Sequence, residues 1–272
     1  MSYLSRITLK TEILKSSQLG HLIAGNAYGM HRLLWDLFPD QDGQKRNFLF
    51  REERDQTSGS HKGWPVFYLL SASLPTQDQA LFTVESRVFA PQLDAAETLS
   101  FKLRANPVVS RRQEGKKHSI SHDVVMDAQY QLLNHLCQAA GLPATGSKSN
   151  KLQLLRQLPA GHLSELIGAL SPQQSPCTLD ELIRDRMQQA QFEWLRKRGE
   201  QHGFVLESSM HLQATGYEWK PLPEKGRNAG FSSVDFEGRL TVLDPERFIQ
   251  MLNSGLGKAR AFGCGLMLVR RV

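Results

Sequence analysis

The sequence predicts an α+β protein built from two tandem ferredoxin-like (RRM-like, βαββαβ) domains, the second of which carries a helical insertion. Two observations support this fold class. Segments with the patterns of strands and helices follow one another in the order β-α-β-β-α-β, and a second, interrupted copy of that order comes after them. We place the first domain at residues 1–95 and the second at residues 96–272. The two copies share no residue-level repeat, so the predicted duplication lies in the order of the elements alone.

The predicted strands of the first domain are short runs that alternate apolar and polar residues or are rich in β-branched and aromatic residues. They cover residues 3–9, 47–53, 65–73 and 82–90. A helix at residues 27–38 and a short helix at residues 76–81 complete the βαββαβ order.

The second domain opens with a predicted strand at residues 99–109 and continues, after the insertion, with a helix at residues 181–203. That helix ends in a basic turn and a glycine, as the C-termini of helices prefer. Asp244 and Pro245 predict the start of a further helix, because aspartate is a good N-cap and proline suits the first helical position. The remaining predicted strands cover residues 204–214, 231–243 and 266–272.

The insertion, at about residues 116–180, has helical periodicity in three stretches. They are DVVMDAQYQLLNHLCQAAG, KLQLLRQL and HLSELIGAL. Apolar helical periodicity shows only that one face of a helix is buried. A partner-binding lobe and a packed extension without a partner therefore both remain open.

The composition is that of a soluble, basic protein. Charged residues make up 22% of the chain and hydrophobic residues 40%, and the formal net charge is +6. No apolar run approaches the ~20 residues that cross a bilayer, and the N-terminus has the pattern of a strand, not of a signal peptide. We therefore expect a cytoplasmic protein without a membrane partner. The basic balance favours a polyanion partner, with nucleic acid as the first candidate.

The cysteines and histidines do not form a metal-binding pattern. Cys137, Cys177 and Cys264 are widely spaced and form no C-x-x-C pair. His118 and His122 are four residues apart, but a zinc site needs further ligands at defined spacings. We expect no metal ion and no other cofactor.

The segment GNAYGMHRLLWDLFPD, residues 25–40, predicts an amphipathic helix with Asn26 as its N-cap. At 100° per residue its leucines share one face, whereas Tyr28, His31 and Trp35 lie on the opposite side. Three interpretations of His31 remain open from the helix alone. It is an incidental surface histidine, it packs against a neighbouring domain, or it pairs with Tyr28 as an acid/base group at an RNA site.

The stretch SGLGKARAFGCG, residues 254–265, is rich in glycine but does not have the pattern of a nucleotide-binding loop. Such loops connect a strand to the N-terminus of a helix, whereas this one follows a predicted helix and precedes a strand. Lys258 is followed by Ala259 and not by serine or threonine. We expect a backbone that lies close to another strand or to a polynucleotide, with Lys258 and Arg260 as its cations.

Three groups of residues carry a resemblance to a known family. They are YGMHRLLWDLFPD near the start, FKLRANP in the middle, and FEG followed by GLGKARAFGCGLM near the end. Together they resemble the CasE family of CRISPR repeat endoribonucleases, the subunit of type I-E Cascade that processes precursor crRNA. The resemblance covers about residues 1–110 and 187–272 and leaves out the helical segment between them.

The resemblance implies a metal-independent endoribonuclease that cleaves repeat stem-loops and keeps its product within a Cascade complex. In the family the 2′-hydroxyl attacks the adjacent phosphate, which leaves a 2′,3′-cyclic phosphate or a 3′-phosphate. The family's Y-x-x-H falls on Tyr28 and His31, so His31 is the expected general acid/base and Tyr28 positions the 2′-hydroxyl or the phosphate. The implied partners are the CRISPR repeat RNA stem-loop, or crRNA, and the other Cascade subunits. The alternative is a non-catalytic CRISPR RNA-binding subunit of the same fold.

Basic residues would supply the RNA contacts. In the family, a hairpin in the region of KPLPEKGR, residues 220–227, enters the groove of the RNA stem. The candidate RNA-binding residues are Arg32, Arg104, Arg111, Arg112, Lys220, Lys225, Arg227, Lys258 and Arg260. Each of them can equally be a solvated surface charge. Arg32, Lys225 and Arg227 are also the candidates for the cation that stabilises the phosphorane.

Overall fold

The computed structural model describes residues 1–10, 27–39, 47–55, 62–111, 120–170 and 178–272. The chain divides into two compact units, the first formed by Met1–Asn106 with Arg198–Val272 and the second by Pro107–Lys197. The predicted boundary between residues 95 and 96 falls inside the first unit, between its two sheets, and stays a prediction.

The first sheet of the first unit is antiparallel and has four strands. Its elements are β1 (Ser2–Leu9), α1 (Ala27–Trp35), β2 (Phe48–Arg54), β3 (Pro65–Ser71) and β4 (Phe82–Phe89). The strand order is β2-β3-β1-β4, the arrangement that the predicted βαββαβ order requires. Because successive side chains of a strand alternate between its faces, one face of the sheet collects Ile7, Phe67 and Leu69 and packs against Leu34 and Leu37 of the α1 segment.

The short helix predicted before β4 is wrong. Residues 76–81 form an irregular loop and not a helix. The segment is too short to nucleate a helix by itself, and its backbone groups bond to other elements: Thr76 N–H donates to the Leu37 carbonyl (2.9 Å), and the Gln79 carbonyl accepts from Lys10 Nζ (2.5 Å).

The second sheet of the first unit repeats the same order with strands from the rest of the chain. Its elements are β5 (Thr98–Ala105), α5 (Leu179–His202), β8 (Phe204–Leu206), β9 (Gln213–Pro221), β10 (Gly230–Val242), α6 (Pro245–Ser254) and β11 (Met267–Arg271). Four strands run in the order β11-β5-β10-β8, and β9 pairs with β10 as an addition. The predicted pair of ferredoxin-like arrangements is therefore confirmed. Asp244 caps α6 as predicted, since its side chain accepts from the Arg247 N–H at 3.1 Å.

Two predicted strands are divided in the structure. The strand expected at residues 204–214 breaks after β8 into a 3-10 turn, Ser209–His211, whose N-cap Ser208 accepts from the Met210 N–H. The strand expected at residues 99–109 ends with β5, and Val108 begins a separate strand of the second unit. In both places the side-chain pattern alone continues as a strand, and at the first a capped 3-10 turn redirects the chain.

The second unit is mainly helical. It contains β6 (Val108–Arg111), β7 (Ile120–Asp123), α2 (Val124–Ala139), α3 (Lys148–Arg156), α4 (Ala160–Leu170) and most of α5. The helical periodicity predicted for the insertion is confirmed, and the helices share one apolar core that includes Leu133, Leu136, Leu155, Ile167 and Leu182. Among the helices that the structure describes, none has the length and apolar character needed to span a bilayer.

A buried ionic network connects the two sheets of the first unit. The Asp235 carboxylate on β10 lies 3.1 Å from Arg51 Nη2 of β2 and 2.9 Å from Arg104 Nη2 of β5. Arg51 is only 1% exposed and also pairs with Glu53. Burial alone would lower the pKa of Arg104, but its hydrogen bonds and its attraction to Asp235 outweigh that effect and raise it. The Arg104 guanidinium therefore keeps its charge, and it shares the Asp235 carboxylate with Arg51.

We expect Asp235→Asn to destabilise the protein by about 3–5 kcal/mol, because it removes the carboxylate that binds Arg104 and one of the two carboxylates that pair with the fully buried Arg51. Glu237→Gln is the matched control, since Glu237 lies two residues further on the same strand and forms an exposed pair with Lys102 (3.0 Å). This control should cost less than about 1 kcal/mol. Urea denaturation measures both free energies of unfolding, and equal losses in the two variants would contradict the structural role of the network.

Candidate functional site

The side of helix α1 that was predicted to be buried is buried, and part of the opposite side is covered by other residues as well. Met30, Leu34 and Leu37 are buried, as expected. His31 and Trp35 were predicted on a solvent-facing side, but both are only half exposed, and Trp35 packs against the core. The reason is that Phe48 of β2 lies alongside this face, with its ring centroid 5.7 Å from that of Trp35.

His31 lies among four aromatic rings. Its ring centroid is 5.5 Å from that of Trp35 and 5.9 Å from that of Phe48, and its ring plane lies within 19° of the plane of Phe50 at 6.5 Å. The fourth ring is Phe262, at 6.5 Å with an interplanar angle of 62°. These contacts fix the orientation of the imidazole and leave it partly buried, with Nδ1 withdrawn from solvent.

Tyr28, the other predicted catalytic residue, lies three residues before His31 on the same helix. Its side chain is outside the part of the chain that the structure describes, as is the predicted N-cap Asn26. The pairing of Tyr28 with His31 stays a prediction.

The glycine-rich loop folds against β2 and not around an open phosphate site. After α6 it passes through a 3-10 turn, Arg260–Phe262, and enters β11. The Gly265 N–H donates to the Arg104 carbonyl at 2.7 Å, and the Gly265 carbonyl accepts from the Leu256 N–H at 2.9 Å. Gly263 has a left-handed backbone (φ 82°), and a Cβ there would lie 3.2 Å from the Phe50 ring. The loop backbone therefore lies close to another strand, which was one of the two expectations for this loop.

Lys225 lies beside the glycine loop, close to the ring of Phe262. It ends a 3-10 turn, Pro223–Lys225, which follows β9. Its ammonium lies 5.4 Å from the centroid of the Phe262 ring, the ring that also contacts His31. An apolar cluster that includes Leu222, Phe231 and Phe262 connects this turn to the glycine loop. The predicted acid/base residue and one predicted cation thus lie beside the same aromatic ring.

Three of the other predicted RNA-binding cations form ion pairs or hydrogen bonds with other groups of the protein. Arg104 binds Asp235 and donates from Nη1 to the Glu52 carbonyl at 3.2 Å. Lys220 pairs with Glu218 at 3.2 Å. Arg260 donates to the Ser254 carbonyl at 2.5 Å, at the end of α6.

The remaining predicted cations differ in their surroundings. Arg32 is exposed on α1 and lines a shallow pocket with Trp35. Arg227 lies on the turn after β9 and Lys258 on the glycine loop, and both are exposed. Arg111 ends β6 in the second unit, with its side chain outside the described part, and Arg112 lies outside the described residues altogether.

Cys264 is next to the site but is not suited to nucleophilic chemistry. The residue is fully buried in the glycine loop, and burial raises the pKa of its thiol to about 12. A thiol with that pKa supplies almost no thiolate near neutral pH.

The aromatic part of the site was not predicted from the sequence. Phe48 and Phe50 carried a signal, because they alternate in the predicted strand NFLFREE and so had to share a face. Phe262 is part of the glycine-rich stretch, but its contact with His31 joins opposite ends of the chain. Periodicity and local motifs do not contain that information.

Comparison with known proteins identifies the family. The family model described as CRISPR associated protein matches residues 2–271. The CRISPR system Cascade subunit CasE of Escherichia coli is 24% identical over 248 residues, which cover 88% of this chain and 89% of that protein. The CRISPR-associated endoribonuclease Cse3 of Thermus thermophilus is 40% identical over 85 residues, 28% of this chain and 40% of that protein.

The fold is also that of a solved structure. Thermus thermophilus Cse3, bound to an RNA that represents a pre-cleavage complex, has a TM-score of 0.57 and 22% identity, with 99% of this chain and 98% of that chain covered. The chain belongs to the CRISPR associated protein family, whose model spans almost its whole length. Its resemblance to the CasE members of that family, first indicated by its motifs, is confirmed.

We expect Gly265→Ala to cost more stability than its backbone conformation alone explains. A Cβ at Gly265 (φ 92°) would lie 2.9 Å from the Leu256 carbonyl oxygen, too close for an ordinary contact. Gly63 has a similar φ of 83° with nothing within 4 Å of such a Cβ, so Gly63→Ala is the matched control. The control should lose about 1 kcal/mol of free energy of unfolding, and Gly265→Ala at least ~1 kcal/mol more. Equal losses in urea denaturation would show that the loop is not closely packed.

Proposed function

We propose that this protein is an endoribonuclease that cleaves CRISPR repeat stem-loops in precursor crRNA and remains with its product in a Cascade complex. One observation carries the proposal: the His31 imidazole and the Lys225 ammonium approach the same ring, that of Phe262, at 6.5 Å and 5.4 Å. A group that transfers protons and a cation that offsets developing negative charge therefore lie beside the same aromatic ring. The endoribonuclease and Cascade names of the relatives support the same conclusion.

The proposed reaction uses the RNA as its own nucleophile. The 2′-oxygen bonds to the adjacent phosphorus while the bond from phosphorus to the 5′-oxygen breaks, which gives a 2′,3′-cyclic phosphate and a 5′-hydroxyl. One proton leaves the 2′-hydroxyl and one reaches the departing 5′-oxygen. His31 acts as general acid/base for this transfer, since histidine changes its charge near neutral pH. Tyr28 positions the 2′-hydroxyl or the phosphate.

Lys225 is the best-placed candidate for the cation that stabilises the phosphorane. Its ammonium is exposed and close to the ring beside His31. Fixed charges near the place where negative charge develops lower the barrier more than they strengthen ground-state binding. Arg227, exposed on the same turn, contributes contacts to the backbone of the stem, because A-form RNA is recognised largely by shape and phosphates.

The alternative function is that of a non-catalytic CRISPR RNA-binding subunit. The observation that favours it is the packing of His31 among aromatic rings, which is also the environment of a structural histidine. Incubation of the protein with a repeat stem-loop RNA in excess EDTA separates the two functions. Cleavage with a 2′,3′-cyclic product supports the proposed metal-independent reaction, whereas binding without cleavage, with or without added Mg²⁺, supports the alternative.

We expect His31→Ala to lower the single-turnover rate of repeat cleavage by about 10²–10⁴-fold, the usual contribution of a general acid/base. Its affinity for a repeat with 2′-deoxyribose at the cleavage site should change little, because the imidazole acts mainly in the transition state. His162→Ala, which removes an exposed histidine of the second unit, is the matched control and should cleave normally. A near wild-type rate in His31→Ala would refute the assignment of His31.

Charge reversal of the turn after β9 should weaken RNA binding. We expect Lys225→Glu with Arg227→Glu to raise Kd for the uncleavable repeat and to reduce the slope of log Kd against log salt by about 2, one for each lost phosphate contact. Reversal of Arg184 and Lys197, two exposed cations of the second unit, makes the same change in net charge and serves as the control. An identical salt slope in both double variants would exclude a specific role for the turn.

A further inference from the structure

We propose that Phe262 is a positioning residue, which holds the Lys225 ammonium and the His31 imidazole in fixed places against one aromatic ring. The inference rests on the proposed endoribonuclease function. It adds to that function a residue that acts on the reaction through its two neighbours.

Phe262 is the point at which three separate parts of the chain meet. It belongs to the glycine loop, whereas His31 comes from α1 and Lys225 from the turn after β9. The centroid of the Phe262 ring lies 6.5 Å from that of His31, with the planes at 62°, and 5.4 Å from the Lys225 ammonium. One ring therefore contacts both the predicted acid/base group and the predicted cation.

Packing within the protein fixes the Phe262 ring before any RNA is present. The ring stacks on Phe231 at 5.4 Å with an interplanar angle of 23°. Leu222 and Cys264 are buried in the same cluster. Gly263, the next residue, approaches Phe50 so closely that a Cβ there would lie 3.2 Å from the Phe50 ring. The loop therefore has little freedom to move the Phe262 ring away from the site.

The physical effect on the two neighbours is different. The face of an aromatic ring attracts a cation, so Phe262 narrows the range of positions open to the ammonium of Lys225, which stands at the end of a flexible side chain. An edge-to-face contact sets the angle of the imidazole instead. A displacement of ~1 Å in a reacting group can cost about 10²-fold in rate. Loss of the ring should therefore lower the cleavage rate more than the affinity for RNA.

The first experiment compares Phe262→Leu with Phe262→Trp. Leucine keeps apolar bulk and removes the π face, whereas tryptophan keeps the π face. We expect Phe262→Leu to lower the single-turnover rate by about tenfold or more while Kd for the uncleavable repeat changes by less than about threefold. Phe262→Trp should stay within about threefold of the wild-type rate, because indole binds cations at least as well as phenyl. Equal rates in the two variants would overturn the proposal.

Phe231→Leu is the matched control for damage to the cluster. It removes the buried ring on which Phe262 stacks and lowers Tm, but the close contact of Gly263 with Phe50 still holds the loop and the Phe262 face toward Lys225 remains, so its rate should fall by less than that of Phe262→Leu. If Phe231→Leu is as slow as Phe262→Leu, the effect comes from general packing and the proposal is wrong. Phe262→Met, which also lacks a π face, replaces Phe262→Leu throughout if the leucine variant does not fold.

A double-mutant cycle tests whether Phe262 acts through Lys225. If it does, Phe262→Leu should slow the wild type but have little further effect in the Lys225→Ala background, whereas a purely structural role gives additive effects in the logarithm of the rate. Additivity would overturn the proposal. A wild-type protein that does not cleave, or a His31→Ala variant that cleaves normally, would instead refute the proposed function itself.

Discussion

The Asp235 carboxylate is the interaction on which the arrangement of the site depends. It binds Arg51 of one sheet and Arg104 of the other, and the Arg51 side chain is withdrawn from water while that of Arg104 is partly buried. A buried ion pair is not an efficient source of stability, but loss of one partner is costly, so the network allows the two sheets few alternative positions. The carbonyl of Arg104 also holds the Gly265 N–H at 2.7 Å. The network and the glycine loop are thus anchored on the same strand.

Strand β2 transmits this constraint to the site, because its residues alternate between two environments. Phe48 and Phe50 face the α1 side and form part of the aromatic surroundings of His31. Leu49 and Arg51 face the second sheet, where Leu49 packs with an apolar cluster and Arg51 enters the ionic network. A change in the position of β2 would therefore move the aromatic rings and the buried arginine together.

The features that depend on local sequence patterns were predicted correctly. The predictions were wrong where contacts with residues distant in the sequence determine the structure. Strand alternation, helical periodicity and the Asp244 cap are local patterns, and they were sufficient to predict both ferredoxin-like arrangements. The segment at residues 76–81 was predicted as a helix because its bonds to Leu37 and Lys10 cannot be read from the segment itself. The sequence around Arg104 does not show that the register of β5 and β10 places Asp235 directly opposite it. A predicted phosphate ligand is for that reason found in an internal ion pair.

The chemistry proposed for the site explains why so much packing surrounds a single histidine. When the attacking group is the ribose hydroxyl of the substrate, the protein supplies position and charge and does not supply a nucleophile. The buried Cys264 agrees with this, because its pKa, raised to about 12, makes its thiol a poor nucleophile. Catalysis by positioning depends on how narrowly the catalytic groups are held. In the described part of the site that precision comes from glycine-permitted close contacts, stacked rings and a buried ion pair, all placed before RNA arrives. In the proposed reaction, a closely packed glycine loop serves the geometry of proton transfer, whereas a flexible binding loop would serve affinity alone.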